Sequence, residues 1–224
     1  MTTWATIGRR TPSEPAELRG RRDRRPPLPT LSALLLVSAL GESADAQSCT
    51  SQPSFDLRVL RRASFDLAVD LGAAALWQLS REGRVLLEVI PPTEGLVRRP
   101  AMIGVHLRRP GIGPGLAGDL LRTLERTGSA NMPQLLGRWR NGEGRKALPR
   151  LLIRRCADEL VARGALVKKG AEFTEVPGRL ASLRRVASAA SALWQELQAD
   201  SAGVPNSIRG DCERAVKAGQ GGGG

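Results

Sequence analysis

The clearest periodic pattern of apolar and polar positions lies in "SFDLAVDLGAAALWQLS" (64–80). Phe65, Ala68, Gly72, Ala75, Leu76 and Leu79 follow a 3.6-residue period, and Leu67, Leu71 and Ala74 form a second apolar face. Two apolar faces predict a central helix buried on both sides. Gly83 supplies its stop, and "RVLLEVIPP" (84–92) predicts a strand halted by Pro91 and Pro92. The Pro- and Gly-rich stretch 91–118 predicts a loop. Its GxGxG at 111–115 has no apolar strand leading into it and no GK[ST] after it, so the spacing gives a turn rather than a phosphate cradle.

Upstream, "LSALLLVSAL" (31–40) is too short to span a bilayer. Together with the basic residues before it and Ala44-Asp45-Ala46 after it, the run imitates a secretory signal and its cleavage site. The preferred alternative is a first core helix built on Leu31, Leu34, Leu35 and Leu40.

Downstream, Asp119 is expected to cap a helix over 120–128 that stops at Gly128. A short helix over 131–139 tolerates Pro133 in its first turn. The next helix, 147–163, turns Leu148, Leu151, Leu152, Cys156 and Leu160 inward and Arg150, Arg154 and Asp158 outward, with Gly164 at its end. A small hairpin follows around Lys168-Lys169-Gly170. The last helix, 179–198, is expected to bury Leu180, Leu183, Val186, Ala190 and Leu193. The fold class is therefore mainly α: a compact helical domain with a small β-hairpin and a winged-helix-like C-terminal part. Its bounds are 31–198, between a disordered basic arm (1–30) and a flexible tail (199–224).

Composition supports helix packing, because the 41% apolar content is mostly Leu, Val and Ala, aromatics are 3%, and Tyr is absent. The net charge of +12 and a pI near 11.2 imply attraction to polyanions, nucleic acid or an anionic membrane. Only four of the 34 basic residues are Lys (Lys146, Lys168, Lys169 and Lys217), and Arg forks suit phosphate. A GC-rich coding bias would raise Arg, Ala and Gly together and is the bland alternative. Cys49, Cys156 and Cys212 lie far apart, and His106, expected in the loop, is the only histidine. No metal-ligand spacing, histidine-based triad or paired carboxylate is present, which points away from an enzyme and implies no cofactor.

The order of segments from Leu28 to about Phe173 resembles the Golgi phosphoprotein 3 family with its bacterial relatives. The carrying stretches are "LPTLSALLLVSALGE" (28–42), "GAAALWQLSREGRVLLE" (72–88), "LLGRW" (135–139), "PRLLIRRCADE" (149–159) and "LVARGAL" (160–166). The resemblance implies a mostly helical domain that binds the phosphatidylinositol 4-phosphate head group through one Trp and three Arg. Arg150 matches the first of two arginines three apart, Ile153 stands at the second, and Arg154 is displaced by one. Ala63 and Gly72 stand where the early Trp and Arg fall, with Arg61 and Arg62 close by.

The expected function is thus a cytoplasmic, peripheral membrane protein that binds anionic lipid through a basic face. Its candidate residues are Arg150, Arg154, Arg155, Arg61, Arg62 and Trp139. Trp77 and Trp194 are expected in packing, whereas Trp139 lies between Arg138 and Arg140. The alternative is a winged-helix nucleic-acid binder with Arg150, Arg154 and Arg155 on phosphates and Lys168 and Lys169 in the wing. That helix offers almost no amide or hydroxyl group to base edges. The arginines could equally be a solvated helix face partnered by Asp158 and Glu159. A degenerate reading frame is a third possibility, suggested by the tails and the missing Tyr.

Overall fold

The computed structural model describes residues 28–45, 54–56, 64–91, 101–143, 147–170, 172–176, 178–199 and 203–220. In chain order the elements are α1 (Leu31–Asp45), β1 (Ser54–Asp56), α2 (Ser64–Arg81), β2 (Val85–Ile90), β3 (Met102–Leu107), α3 (Gly115–Thr127) and β4 (Ser129–Asn131). They continue with α4 (Met132–Gly142), α5 (Leu148–Ala162), β5 (Leu166–Lys169), β6 (Glu172–Glu175), α6 (Arg179–Ala199) and α7 (Val204–Gln220). The protein is mainly helical, with a small hairpin where the sequence places one.

The central element is α2. Ala68, Val69, Leu71, Ala73, Ala74, Ala75, Leu76 and Leu79 are all buried, and α1, α3, α5 and α7 pack around the helix. Its run of small residues lets neighbouring backbones come close, which branched side chains would prevent. The apolar run at 31–40 is core: Leu34, Leu35, Leu36, Val37 and Leu40 are buried within α1. That helix is fixed at its start. Thr30 Oγ1 accepts the Ala33 N–H at 3.2 Å. Glu159 of α5 accepts from both the Thr30 N–H (2.9 Å) and the Thr30 hydroxyl (2.7 Å). Ser32 adds a hydroxyl bond to the Leu71 carbonyl at 3.0 Å.

Gly83, Gly128 and Gly164, the three expected helix stops, have φ of 66°, 75° and 70°. This left-handed region is open to glycine without steric cost. Two antiparallel sheets complete the fold. One runs β2-β3-β4, and the other runs β1-β6-β5, so β1 adds a third strand to the expected hairpin.

Several sequence expectations are corrected. Part of the supposed loop 91–118 is β3, paired with β2 from Val85↔Leu107 to Ile90↔Met102, and His106 lies on that strand. The strand is short and interrupted by Gly104, which hides its alternation. Asp119 does not cap α3, which already begins at Gly115; it sits inside the helix, buried.

The buried face of α6 is Leu180, Ala187 and Trp194, flanked by Leu183, Ala190 and Leu197, while Val186 and Leu193 are 37% and 55% exposed. The observed set keeps a strict three-four spacing against α1 and buries the largest side chain available. The supposed flexible tail contains α7, whose Ile208, Cys212, Ala215 and Val216 are buried against the core. Its polar composition masks a narrow apolar stripe of i, i+4, i+7 and i+8 spacing. The basic arm 1–27 lies outside the described residues.

Candidate functional site

Helix α5 brings the candidate arginines into place. Leu148, Pro149, Leu151, Leu152, Ile153, Cys156, Ala157, Glu159 and Leu160 are buried, leaving only a narrow stripe facing outward. Arg150 and Arg154, one turn apart, are exposed on it, followed by half-buried Asp158. The stripe continues onto the hairpin. Lys168 Nζ lies 3.1 Å from Asp158, and Arg154 Nε lies 3.8 Å from the same carboxylate. Lys168 also stands over the Phe173 ring at 5.7 Å, and Lys169 is exposed beside it. Arg150, Arg154 and Lys168 therefore share one surface with Asp158 between them, while Lys169, the next residue of β5, points to the other face of the hairpin, in register with exposed Glu172. No amide side chain lies on the outward stripe to read base edges, and β4, which precedes α4, pairs with β3 rather than with the hairpin.

The other expected site residues do not join this stripe. Arg155 turns to the opposite side and holds buried Asp119 of α3 through Nε and through Nη2, the latter at 2.9 Å. That hydrogen bond is the main reason its guanidinium is held above the ordinary arginine value, with burial opposing. Arg122 contacts the same carboxylate. Arg155 is thus a structural clamp between α3 and α5. Trp139 is only 5% exposed and belongs to the core, which corrects its assignment to the exposed face. Flanking arginines gave it an interface appearance, but a helix turns adjacent positions by about 100°, so Arg138 points outward while Trp139 points inward. Arg61 and Arg62 lie outside the described residues.

The glycine-rich turn has a packing role. Glu159 fills the space a Cβ on Gly115 would need, and the Gly113 carbonyl does the same at Gly118. Arg84 Nη1 donates to the Pro110 carbonyl at 2.9 Å, and the Gly111 N–H donates to Glu125 at 2.8 Å. The backbone of this turn is held by its own protein. His106 Nε2 lies 3.1 Å from Glu88 on the β2–β3 pair. Among the described residues no group of three or more His, Cys, Asp or Glu could hold a metal ion. Cys156 and Cys212 are free and buried, and desolvation pushes both thiols well above their ordinary values.

Sequence reasoning missed a second basic concavity. A cleft of about 280 Å³ opens between α3 and α4, lined by Arg122, Arg126 and Arg138 together with Asp119, Trp139 and Glu143. Its arginines are spread over two helices separated by a strand, so no local spacing announces them. Compared with protein-family models, curated proteins and solved structures, the chain gives no match.

Proposed function

We propose that this chain is a non-enzymatic protein that associates peripherally with anionic membrane surfaces through the α5–hairpin stripe. The observation that carries the reading is the succession of Arg150, Arg154 and Lys168 along one face, with Asp158 between them. A basic residue near an anionic bilayer contributes about 1 kcal/mol, so three give useful affinity without a shaped pocket. Two further observations support it. No helix among the described residues is long and apolar enough to cross a membrane, so attachment through this face would be from the surface. The segment order resembles the Golgi phosphoprotein 3 family, and the helices and hairpin expected from that order are present, although Ile153, at the position of its second pocket arginine, is buried. Non-selective anionic lipid binding is therefore better supported than a phosphatidylinositol 4-phosphate pocket.

Vesicle flotation tests this reading. The full chain is mixed with phosphatidylcholine vesicles alone, with added phosphatidylserine, and with phosphatidylinositol 4-phosphate at matched charge, each at two salt concentrations. Duplex DNA is offered in parallel. Salt-sensitive flotation with either anionic lipid is the expected result. Binding to DNA without flotation at either salt would replace the membrane reading with the nucleic-acid one.

A further inference from the structure

The outward side of α6 carries a second seam. Ser182, Arg185, Ala189, Ala192, Glu196 and Ala199 recur at alternating steps of three and four residues, and all of them are exposed. That spacing keeps a single line along a helix, here on the side away from Leu180, Ala187 and Trp194, the face that packs on α1. Val186 and Leu193, 37% and 55% exposed, border the line on one flank. Two large apolar side chains expected in the core thus lie beside an open row of small ones.

The charges on this seam are arranged about its midpoint. Arg185 and Glu196 are its only charged residues, and neither forms an ion pair among the described residues, whereas neighbouring Arg184 is held by Glu175 at 3.3 Å. Eleven residues apart on a helix rising about 1.5 Å per residue, the two lie about 16 Å from each other and cannot meet within one copy.

A second α6 laid antiparallel, with a two-fold axis level with Ala190 and Ser191, reads the seam against itself. Arg185 then faces Glu196 at both ends, Ala189 faces Ala192 twice in the middle, and Ser182 faces Ala199. The alanines let the helix axes approach to about 8 Å, the near end of the usual range. That closeness brings Val186 of one copy beside Leu193 of the other. A parallel pair would set Arg185 against Arg185 and Glu196 against Glu196, which like-charge repulsion disfavours.

We propose that the outward face of α6 binds the same face of a second copy, antiparallel, in a two-fold homodimer. Self-complementarity about a midpoint is what such an isologous contact requires. The face draws on none of Arg150, Arg154 and Lys168, so it stands apart from the membrane reading above. One helix per copy makes a small interface, which sets a dissociation constant of about 10–100 µM.

Sedimentation equilibrium of the full chain over about 5–500 µM tests this, with a monomer–dimer equilibrium as the expected result. Arg185→Glu and Glu196→Arg, made singly, place like charges at both ends and should each weaken the dimer about tenfold. The two together restore the opposed pairs and should recover most of the affinity. Ala189→Arg wedges the central layer and should leave a monomer. All three positions are exposed, and circular dichroism of each variant checks that the fold is kept. A wild type that stays monomeric at the highest concentration overturns the proposal. So does a dimer that survives Ala189→Arg, or one that the doubly exchanged protein fails to recover. A monomeric wild type whose vesicle flotation falls with Leu193→Ser would give the face to lipid instead.

Discussion

Gly72 of α2 and Cys212 of α7 touch so closely that a Cβ on the glycine would lie 2.6 Å from the sulfur. The last helix therefore reaches the centre of the fold only because α2 has no side chain at this point. Gly72→Ala should destabilise the protein by about 1–3 kcal/mol, as overpacking does in close-packed cores. Adding Cys212→Ala should recover part of that loss, and urea melts of the four variants would give the coupling. Simple additivity would show that α7 does not seat against Gly72.

The two described thiols should be silent in the native state. Both are buried, and desolvation raises both above the ordinary cysteine range, so little thiolate forms at neutral pH. In a Cys49→Ser background, reaction with a disulfide reagent should proceed only as fast as the protein opens, and denaturant should accelerate it. Stoichiometric labelling within seconds under native conditions would contradict the packing.

Asp211 of α7 provides a pH dependence with a definite sign. Its buried carboxylate accepts the Ile103 N–H and contacts Arg214, yet desolvation dominates and raises its pKa above the ordinary aspartate value. A raised acid stabilises the fold fully below its unfolded pKa, and the contribution is lost as pH rises through the folded value. The stability of the wild type relative to Asp211→Asn should therefore be greatest near pH ~4 and decline from there as pH rises. Thermal melts of both proteins at a series of pH values would measure this, and a gap that instead widens toward neutral pH would count against it.

Glu159 ties three segments together. It accepts from Thr30 at the start of α1 and from Arg163 Nε at 3.1 Å, and it fills the space beside Gly115. Glu159→Ala leaves the buried Thr30 donors without their acceptor and should cost about 3–5 kcal/mol. Hydrogen exchange should localise the loosening to the first turn of α1. Glu159→Gln keeps one acceptor oxygen and should lose less.

For the proposed membrane contact, replacing Arg150 and Arg154 by alanine removes about 2 kcal/mol of surface attraction, or roughly thirtyfold in vesicle affinity. Both side chains are exposed, so the melting temperature should stay close to that of the wild type. Undiminished flotation would mean that these arginines only solvate the helix.

Local sequence reports what depends on local geometry. The 3.6-residue period of α2 and the inward set of α5 are properties of consecutive residues. So are the stops at Gly83, Gly128 and Gly164, and all are present where the pattern puts them; the hairpin turn falls on Gly170, while Lys168 and Lys169, expected in it, belong to β5. The same periodicity could not choose between two overlapping stripes on α6, because the face that is buried is chosen by packing on α1, more than a hundred residues away in the chain. It passed over α7, whose apolar stripe is narrow and gains value only beside Gly72.

The candidate site divides the same way. That Arg150 and Arg154 lie on one outward face follows from spacing alone. That Arg155 answers Asp119, that Trp139 turns inward, and that Arg126 and Arg138 converge across a cleft follow from how helices cross. Local pattern was enough for helices α1 to α6, their glycine stops and the excess of cations. The tertiary structure alone decided which cations are neutralised and which remain to meet an anion, because charge pairing acts through space and is blind to position along the chain.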